Sequence, residues 1–306
     1  MKIVYAGTPQ YAVAPLAALV EMGAEVAAVV TQEDKPVGRK GTLTPPPVKQ
    51  YAVERGIPVY QFHKIRDCVD KLSAIGADAM FTCAYGQLLT QEVLDAFPKG
   101  VWNAHASLLP ELRGASPVQS AILEGKTQTG VTVMKTELAL DSGDILLVKR
   151  CAIAEGETAG ELSERLSALS AEALCDAYKL IEAGDENLLL QDEGRATYCK
   201  KIKKEHARIN FAAAAADVRN LINGMSPSPA AFCSFKGQPL NFYRAFACGG
   251  EGGACGQVLS VTKQGIVIMC GDGCVRVTEA QFAGGKRLSA ADIVNGRKLS
   301  VGDILE

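Results

Sequence analysis

Hydrophobic and polar positions divide the first third of the chain into alternating strand-like and helix-like stretches. Short apolar runs predict strands at KIVYAG, AEVAAVVTQ, IPVYQF and DAMFTCAYG, and the intervening stretches, such as PQYAVAPLAALVEMG, have the spacing of amphipathic helices. Near-continuous apolar strands are typical of a sheet that is covered on both faces. The alternation predicts a twisted, mostly parallel sheet with flanking helices.

The pattern changes from about residue 130 onward. GVTVMKTE and GDILLVKRCAI predict two more strands, and TAGELSERLSALSAEALCDAYKLIEAG predicts a long amphipathic helix. After a connecting segment and one helical stretch, short strands separated by glycines predict a small β-barrel or sandwich. We therefore expect an α/β chain with a Rossmann-like sheet domain over residues 1–186, a basic linker over 187–204, and a smaller all-β, barrel-like (OB-like) domain over 205–306.

Composition narrows the class of protein. The chain is 48% hydrophobic and 22% charged, as in ordinary soluble globular proteins. Its ten cysteines include no CxxC pair, so the spacing of a zinc site is missing. MKIVYAGTP begins directly in a strand-like run, so we expect no signal peptide, and no apolar run reaches membrane-spanning length. We expect a reduced, cytoplasmic protein without a metal or a membrane contact, and nothing in the sequence demands more than a monomer.

Gly7 follows the first predicted strand and precedes a helix, which is the position of a dinucleotide-binding turn. That turn requires the fingerprint GxGxxG, and AGTPQY contains one glycine. We expect a tight strand-to-helix turn here and no NAD.

Positive charge is concentrated in two places. Residues 1–199 carry 18 Lys and Arg against 26 Asp and Glu, whereas residues 200–306 carry 14 against 8. The basic end begins with the run KKIKK, which contains Lys200, Lys201, Lys203 and Lys204. The earlier stretch EDKPVGRKGTLTPPPVK contributes Lys35, Arg39, Lys40 and Lys49 to what we predict is a long structureless loop. Long loops of this kind tend to be functional, although solvated surface charge also fits both features.

Candidate chemistry lies in VWNAHASLLPELRGASP, residues 101–117. A strand over GVWNA would place Asn103 and His105 on the same side, near the carboxyl end where ligands of open α/β sheets bind. Asp141, in LALDSGDILL, lies on a turn before another predicted strand. The residues alone also fit a turn-capping amide, a core histidine and a surface Asx-turn.

Together these motifs resemble the folate-dependent formyltransferases. NAHASLLP, RGASP, GVTVM and LDSGD carry the resemblance, and AGTPQYAV, TQEDKPVGRK with TPPPVK, AYGQLL, ARINF and NGMSPSP extend it almost from end to end. The basic loop and the trailing domain point to the branch of the family that acts on initiator tRNA. The resemblance implies transfer of a formyl group from 10-formyltetrahydrofolate to the amine of methionine esterified to initiator tRNA, for translation initiation.

The resemblance also assigns catalytic roles to Asn103, His105 and Asp141. The Asn103 amide and a His105 N–H would donate hydrogen bonds to a developing oxyanion, and one such donor is typically worth ~10²–10³ in rate. Asp141 would orient His105 and accept the amine proton, directly or through water. The pterin ring would lie in an apolar slot with backbone polar groups. This slot would be formed by Tyr85, Gly86, Leu88, Leu89, Ser107, Leu108, Leu109 and Pro110.

The basic features would bind tRNA by the same resemblance. The loop would engage the acceptor end, and the lysine run would contact phosphates without reading sequence. The residues concerned are Lys35, Arg39, Lys40, Lys200, Lys201, Lys203 and Lys204. One departure from the family is Ser228, between Pro227 and Pro229, where an aromatic residue is common. Any contribution of that ring to RNA binding is absent here.

Two other functions are compatible with the sequence. A related formyltransferase could act on a small amine, such as a sugar-nucleotide amine or glycinamide ribonucleotide, but this leaves the basic loop and basic terminal region unexplained. A catalytically silent RNA-binding relative would not need the complete set of Asn103, His105 and Asp141.

Overall fold

The computed structural model describes residues 1–38 and 41–306, so Arg39 and Lys40 of the predicted tRNA-binding set lie outside the described residues. The chain forms two compact units. The first comprises residues 1–114, 130–151 and 163–198, and the second comprises residues 115–129, 152–162 and 199–306. Two short segments that precede residue 163 therefore belong to the second unit.

Strands and helices alternate along the first part of the chain, whereas the strands of residues 231–289 follow one another near its end. The strands are β1 (Lys2–Gly7), β2 (Glu25–Thr31), β3 (Lys35–Val37), β4 (Thr42–Thr44), β5 (Val59–Gln61), β6 (Ala79–Cys83), β7 (Val101–His105), β8 (Arg113–Gly114), β9 (Gln128–Lys135), β10 (Ile145–Ala152), β11 (Tyr198–Cys199), β12 (Ala231–Phe235), β13 (Gln238–Cys248), β14 (Val258–Thr262), β15 (Gly265–Met269), β16 (Cys274–Phe282) and β17 (Leu288–Ser289). The α-helices are α1 (Val13–Glu21), α2 (Pro47–Glu54), α3 (Val69–Ser73), α4 (Gln91–Asp95), α5 (Pro117–Leu123), α6 (Ala159–Ala183), α7 (Ala215–Gly224) and α8 (Ala290–Asn295).

The first unit is built on a seven-stranded sheet with the order β10-β9-β7-β6-β1-β2-β5. The neighbours from β5 through β7 pair in parallel, and β9 pairs antiparallel with β7. The chain builds outward from β1 to β2 and β5 and then returns to β6 on the other side. Such a reversal opens a crevice at the carboxyl ends of the central strands. The predicted mostly parallel sheet is confirmed.

Apolar side chains cover both faces of this sheet. Val4 and Met80 belong to a buried cluster on one face that also includes residues of the flanking segments, such as Leu72. Phe81 follows Met80 in β6 and therefore faces the opposite side of the sheet. There it contacts Tyr178 of α6, with ring centroids 6.2 Å apart. Burial on both faces is the reason that these strands read as continuous apolar runs rather than as alternating ones.

The basic loop of the first unit contains regular structure, contrary to the prediction of a structureless loop. β3 and β4 form a short antiparallel hairpin in which Pro36 lies opposite Leu43. Lys49 is not a loop residue either. It lies in α2, where its Nζ donates to Asp34 Oδ1 (2.8 Å) and to Gln61 Oε1 (2.7 Å), so its charge is neutralised within the fold.

The second unit is built on an antiparallel sheet with the order β12-β13-β16-β15-β14, and β17 pairs beside β16. Residues 302–306 connect its two edges. Val258 of β14 exchanges backbone hydrogen bonds with Gly302 and Asp303, and Ser234 of β12 exchanges them with Glu306. Because both edge strands bond to one segment, the sheet has the barrel-like character that the sequence predicts.

Helices complete the core of the second unit. Val218, Ile222 and Met225, on or just after α7, are buried against the sheet, and Leu123 of α5 packs against the same cluster. Within residues 1–38 and 41–306, none of the helices combines the length and hydropathy that a bilayer span requires.

Candidate active site

Asn103 and His105 lie at the carboxyl end of β7, two residues apart and therefore on the same side of the strand. Thr82 is the partner of Asn103 on the parallel strand β6, and its hydroxyl donates to Asn103 Oδ1 at 3.0 Å. This contact occupies the amide oxygen. The two N–H groups of the Asn103 amide are left as donors for another acceptor.

His105 is buried, with 6% of its surface exposed, and its two ring nitrogens have different neighbours. Nε2 lies 2.9 Å from the carbonyl oxygen of Leu112. A carbonyl only accepts, so Nε2 carries the hydrogen. Nδ1 lies 3.7 Å from Asp141 Oδ2, which is too far for a direct hydrogen bond. In the neutral ring Nδ1 is then an acceptor beside a carboxylate, and a ligand N–H can be shared by the two groups.

This arrangement restricts the donor role predicted for His105. The hydrogen on Nε2 is bonded to Leu112, so it is not available to an oxyanion in this structure. Donation by His105 would require a second hydrogen on Nδ1, that is, the imidazolium form. The role of His105 as an oxyanion donor stays a prediction under that condition.

Asp141 lies on the turn that precedes β10, in a left-handed conformation with φ of +50°, which aspartate tolerates better than most residues. Its Oδ2 accepts a hydrogen bond from the backbone N–H of Gly114 at 2.8 Å. Two residues further on, a Cβ on Gly143 would lie 1.8 Å from the carbonyl oxygen of Lys135. Glycine at 143 therefore permits the close approach that holds Asp141 in place.

The SLLP segment is fixed by Thr132 of β9. The Thr132 hydroxyl donates to the carbonyl oxygen of Ser107 (2.7 Å) and accepts from the backbone N–H of Leu109 (3.1 Å). Ser107 is fully buried, and its hydroxyl donates to the carbonyl oxygen of Glu111 at 2.6 Å. Leu109 packs with Met134 and Ile145 in a small apolar cluster. These contacts leave the segment little freedom.

The AYGQLL segment supplies a more open surface. Tyr85 is buried in the apolar cluster of the first unit, and burial raises the pKa of its phenol. Its backbone carbonyl accepts from Thr8 Oγ1 and Gln32 Nε2, both at 3.0 Å. Leu88, in contrast, is 82% exposed and available to a ligand. Among the described residues, no hydrogen bond joins this segment to the SLLP segment, so their joint role in folate binding stays a prediction.

Several residues near the site escaped the sequence analysis. Arg113, in RGASP, is 1% exposed, and its Nη1 and Nη2 donate to Glu193 Oε2 (3.0 Å) and Oε1 (2.6 Å). The hydrogen bond to Glu193 raises the pKa of Arg113 and lowers that of Glu193. Thr132 lies in GVTVM and Arg113 lies in RGASP, two motifs that carry the family resemblance. Membership in these motifs is the signal in the sequence that indicates both residues. Gln191 and Thr197, which also reach this region, lie in a stretch that we interpreted only as a connection.

The lysine run lies at the start of the long C-terminal part of the second unit. Lys200, Lys201, Lys203 and Lys204 are exposed, whereas Ile202 between them packs against the core of that unit. Lys35 is exposed, and its Nζ donates to Gln32 Oε1 at 2.7 Å. In the part of the chain that the structure describes, no group of three or more His, Cys, Asp or Glu side chains is arranged to hold a metal ion.

Comparison with known proteins identifies the class. The model of the formyl transferase family matches residues 1–178, and the model of the formyl transferase C-terminal domain matches residues 201–298. The chain belongs to the formyl transferase family.

Its similar relatives include methionyl-tRNA formyltransferases. The enzyme of Neisseria meningitidis serogroup C is 41% identical over 295 residues, which cover 95% of this chain and 96% of the relative. That of Coxiella burnetii is also 41% identical, covering 95% of this chain and 94% of the relative. Among solved structures, the N-formyltransferase of Helicobacter canadensis, in complex with folinic acid and dTDP-3-aminofucose, has a TM-score of 0.71 at 17% identity. The alignment covers 92% of this chain and 99% of that one, and it supports the fold. The family resemblance read from the sequence is confirmed.

Proposed function

We propose that this protein is a methionyl-tRNA formyltransferase, which transfers a formyl group from 10-formyltetrahydrofolate to the amine of methionyl-initiator tRNA. Its 41% identity to methionyl-tRNA formyltransferases over nearly the whole chain supports this choice of substrates. The geometric observation that carries the proposal is the approach of His105 Nδ1 to Asp141 Oδ2, at 3.7 Å, beside the Asn103 amide.

The chemistry follows from the hydrogen bonds of these three side chains. The methionine amine attacks the formyl carbon, and negative charge develops on the formyl oxygen, where the N–H groups of Asn103 donate. The amine proton passes to the His105–Asp141 pair, either at Nδ1 or, directly or through water, at the carboxylate. The Asp141 charge stabilises the imidazolium when Nδ1 takes the proton. The oxyanion then reforms the carbonyl as the bond to the folate nitrogen breaks, and that nitrogen leaves with the proton that the pair accepted, passed directly or through water.

We assign folate binding to the AYGQLL and SLLP segments, which follow β6 and β7. Exposed Leu88 and partly buried Leu89 supply apolar surface, and Gly86 leaves backbone groups accessible. Ser107, Leu108, Leu109 and Pro110 form the second wall. An apolar slot with a few fixed polar groups is the usual form of a small-ligand site.

Recognition of tRNA belongs to Lys35 and to the lysine run, because four exposed lysines around one anchored isoleucine present charge to a phosphate backbone. Arg39 and Lys40 are included from the sequence alone. We retain residues 1–186 as the catalytic domain, 187–204 as the basic linker and 205–306 as the tRNA-binding domain. A cytoplasmic location completes the proposal, since the product serves translation initiation, which takes place there, and we propose that the protein acts as a monomer.

The test is formylation of methionylated initiator tRNA by the purified protein with 10-formyltetrahydrofolate. Formyl transfer should occur with this tRNA and not with free methionine, and methionylated elongator tRNA serves as the second comparison. An amino-sugar nucleotide and glycinamide ribonucleotide test the related small-amine activity. Efficient transfer to either small amine, without transfer to the tRNA, would overturn the proposal in favour of that activity.

The catalytic assignment is tested by His105→Ala with His63→Ala as the matched control. His63 is exposed and contacts Glu33 at the surface, with 3.1 Å between Nδ1 and Oε2. We expect His105→Ala to abolish turnover while the circular dichroism spectrum stays unchanged, and His63→Ala to remain active. Near-wild-type turnover of His105→Ala would refute the assignment.

A further inference from the structure

Gln191 connects two parts of the first unit that are far apart in sequence. It lies in the segment of residues 189–199, which we call the strap and which runs beside the candidate catalytic turn. The side-chain Nε2 of Gln191 donates to the carbonyl oxygens of Asp141 (2.9 Å) and Gly143 (2.7 Å). The strap therefore holds the backbone of the turn that carries Asp141.

The other end of the same amide is bound to Arg113. Oε1 of Gln191 accepts from Arg113 Nε (3.1 Å) and Nη2 (2.8 Å). A guanidinium only donates, and the two backbone carbonyls only accept. The amide consequently has one orientation, since a flipped amide would oppose donor to donor and acceptor to acceptor. Gln191 therefore accepts hydrogen bonds from Arg113 through Oε1 and donates hydrogen bonds to the turn through Nε2.

Arg113 is itself well anchored. Its side chain is buried and forms a bidentate ion pair with Glu193, which also lies in the strap. Gly114, the next residue along β8, donates its backbone N–H to the Asp141 carboxylate. Asp141 is thus held at its own carbonyl through Gln191 and at its carboxylate by Gly114.

The strap also supports the partner of His105. Thr197 Oγ1 accepts from the backbone N–H of Leu112 at 2.9 Å, and the carbonyl of Leu112 accepts the Nε2 hydrogen of His105. At the first residue of the strap, Leu189 exchanges backbone hydrogen bonds with Ile145 at the start of β10. One segment therefore fixes both members of the His105–Asp141 pair.

We propose that Gln191 is a positioning residue, which sets the placement of Asp141 relative to His105 from the strap. Its effect on catalysis rests on the proposed formyl transfer, whereas its effect on the His105–Asp141 geometry does not. Gln191 thereby belongs to the active-site structure, although it lies in a segment that connects domains.

Two substitutions separate this role from simple support of the fold. Gln191→Met keeps the length of the side chain and removes its hydrogen bonds. Gln191→Glu keeps an acceptor for Arg113 and adds an ion pair, but it presents a carboxylate oxygen to the two carbonyls at which Nε2 donated. A residue that only supports the fold would lower the free energy of unfolding in both variants and leave the kcat of the folded enzyme unchanged. A positioning residue would lose its function in both variants.

For both variants we expect kcat to fall on the order of 10²-fold, as a displaced catalytic group requires. The KM values for folate and tRNA should stay within about twofold, because neither variant changes a substrate contact. The matched control is Asp192→Asn, since Asp192 is exposed and its Oδ1 accepts from Gly194 in the same strap. This control should behave as the wild-type protein does.

A second readout does not depend on activity. The imidazole ¹⁵N chemical shifts of His105, assigned with His105→Gln, report the placement of the Asp141 charge. Gln191→Glu and Gln191→Met should move the Nδ1 signal in the same direction as Asp141→Asn, and Asp192→Asn should not move it. If these signals move in a protein that does not formylate tRNA, the positioning role stands and the proposed function falls. Wild-type signals together with wild-type kcat in either Gln191 variant would overturn the inference.

Discussion

At the scale of single residues, the hydrogen bonds of Asn103 and His105 determine which atoms of the site remain for a substrate. Thr82 engages the Asn103 oxygen, and Leu112 engages Nε2 of His105. Donor capacity therefore remains at the Asn103 amide, and acceptor capacity remains at Nδ1 of His105 next to Asp141. This division suits a reaction in which an oxyanion forms and an amine loses a proton.

Asp141→Asn tests the charge in this arrangement while keeping the side-chain shape. The asparagine oxygen can still accept from Gly114, so the turn should persist. We expect kcat to fall by roughly 10²–10⁴, the range of general acid–base assistance. Single-turnover formylation kinetics measure the effect. Asp185→Asn, at an exposed position after α6, is the control, and equal turnover in both variants would contradict a catalytic role for Asp141.

The sequence predicted part of this site for a physical reason. Asn103 and His105 share a strand, and the two-residue period of strands places them on one side whatever the rest of the chain does. Asp141 lies in the loop between β9 and β10, which begins beside the start of β7, where the backbone N–H of Thr136 donates to the carbonyl oxygen of the first residue of that strand. Its approach to His105 is a tertiary contact that no local pattern predicts. Gln191 reaches the site through side-chain contacts across 50 residues of sequence, which no local pattern encodes.

At the scale of secondary-structure elements, the KKIKK run combines an anchor with charge. Ile202 packs against the core, and its backbone N–H donates to Ser116 Oγ at 3.3 Å. The anchored backbone keeps the flanking lysines at the surface in a fixed order. A stripe of charge on a fixed backbone has a lower entropic cost of binding than one on a free linker.

Replacing Lys200, Lys201, Lys203 and Lys204 with glutamine should raise the KM for tRNA and leave the folate KM unchanged. Each phosphate contact that is lost should also reduce the slope of log affinity against log salt by about one. Filter binding over a salt series measures the slope. Lys263→Gln, an exposed lysine of the same unit, is the control. An unchanged slope in the fourfold variant would exclude the lysine stripe as a phosphate site.

The ion pair between Asp34 and Lys49 secures the start of the basic loop and has a predictable pH dependence. Hydrogen bonds from Lys49 and then from Gln61 lower the pKa of Asp34 below its ordinary value of 3.8. A carboxylate with a lowered pKa adds stability above its unfolded pKa, and the addition is lost as the pH falls through the folded value. The stability difference between wild type and Asp34→Asn should therefore be largest near neutral pH and shrink below pH 3.8.

Urea denaturation of both proteins across this pH range measures that difference. Glu54→Gln is the matched control, because the Glu54 side chain is 72% exposed and lies 4.0 Å from Arg55. Its difference from wild type should stay small at every pH. A constant difference for Asp34→Asn would contradict the hydrogen-bonded pair.

Most elements of the first sheet were predictable, and the exceptions have identifiable causes. Buried parallel strands produce apolar runs that are easy to recognise in a sequence. The β3–β4 hairpin was missed because proline is depleted in strands and lies here in a two-stranded ribbon outside the main sheet. β8 and β11 comprise two residues each, too few to produce any periodic pattern.

At the scale of the whole molecule, the second unit includes residues 115–129 and 152–162, which lie far from its main part at residues 199–306 in the sequence. The hydrophobic pattern predicted two consecutive domains but did not predict that these two segments join the second one. A helix such as α5 has the same pattern whichever core it joins. Leu123 of α5 packs against the core of the second unit, and Gly160 donates its backbone N–H to Ser226 at 3.0 Å.

Leu123→Ala should therefore destabilise the second unit although the residue precedes most of that unit in sequence. We expect a loss of about 2 kcal/mol, the lower end for leucine truncation, because Leu123 is partly buried. Calorimetry with the two unfolding transitions resolved measures the loss. Leu190→Ala, at a residue that is 86% exposed, is the control. A shift confined to the transition of the first unit would contradict this assignment of α5.

The interleaved chain has a consequence for synthesis on the ribosome. α5 leaves the exit tunnel well before α7 and the strands with which it shares a core. During that interval the apolar side of α5 has no native partner, and a nascent chain in this condition is exposed to premature association. Slower elongation after residue 129 would prolong this vulnerable period, and aggregation during translation should increase with its length.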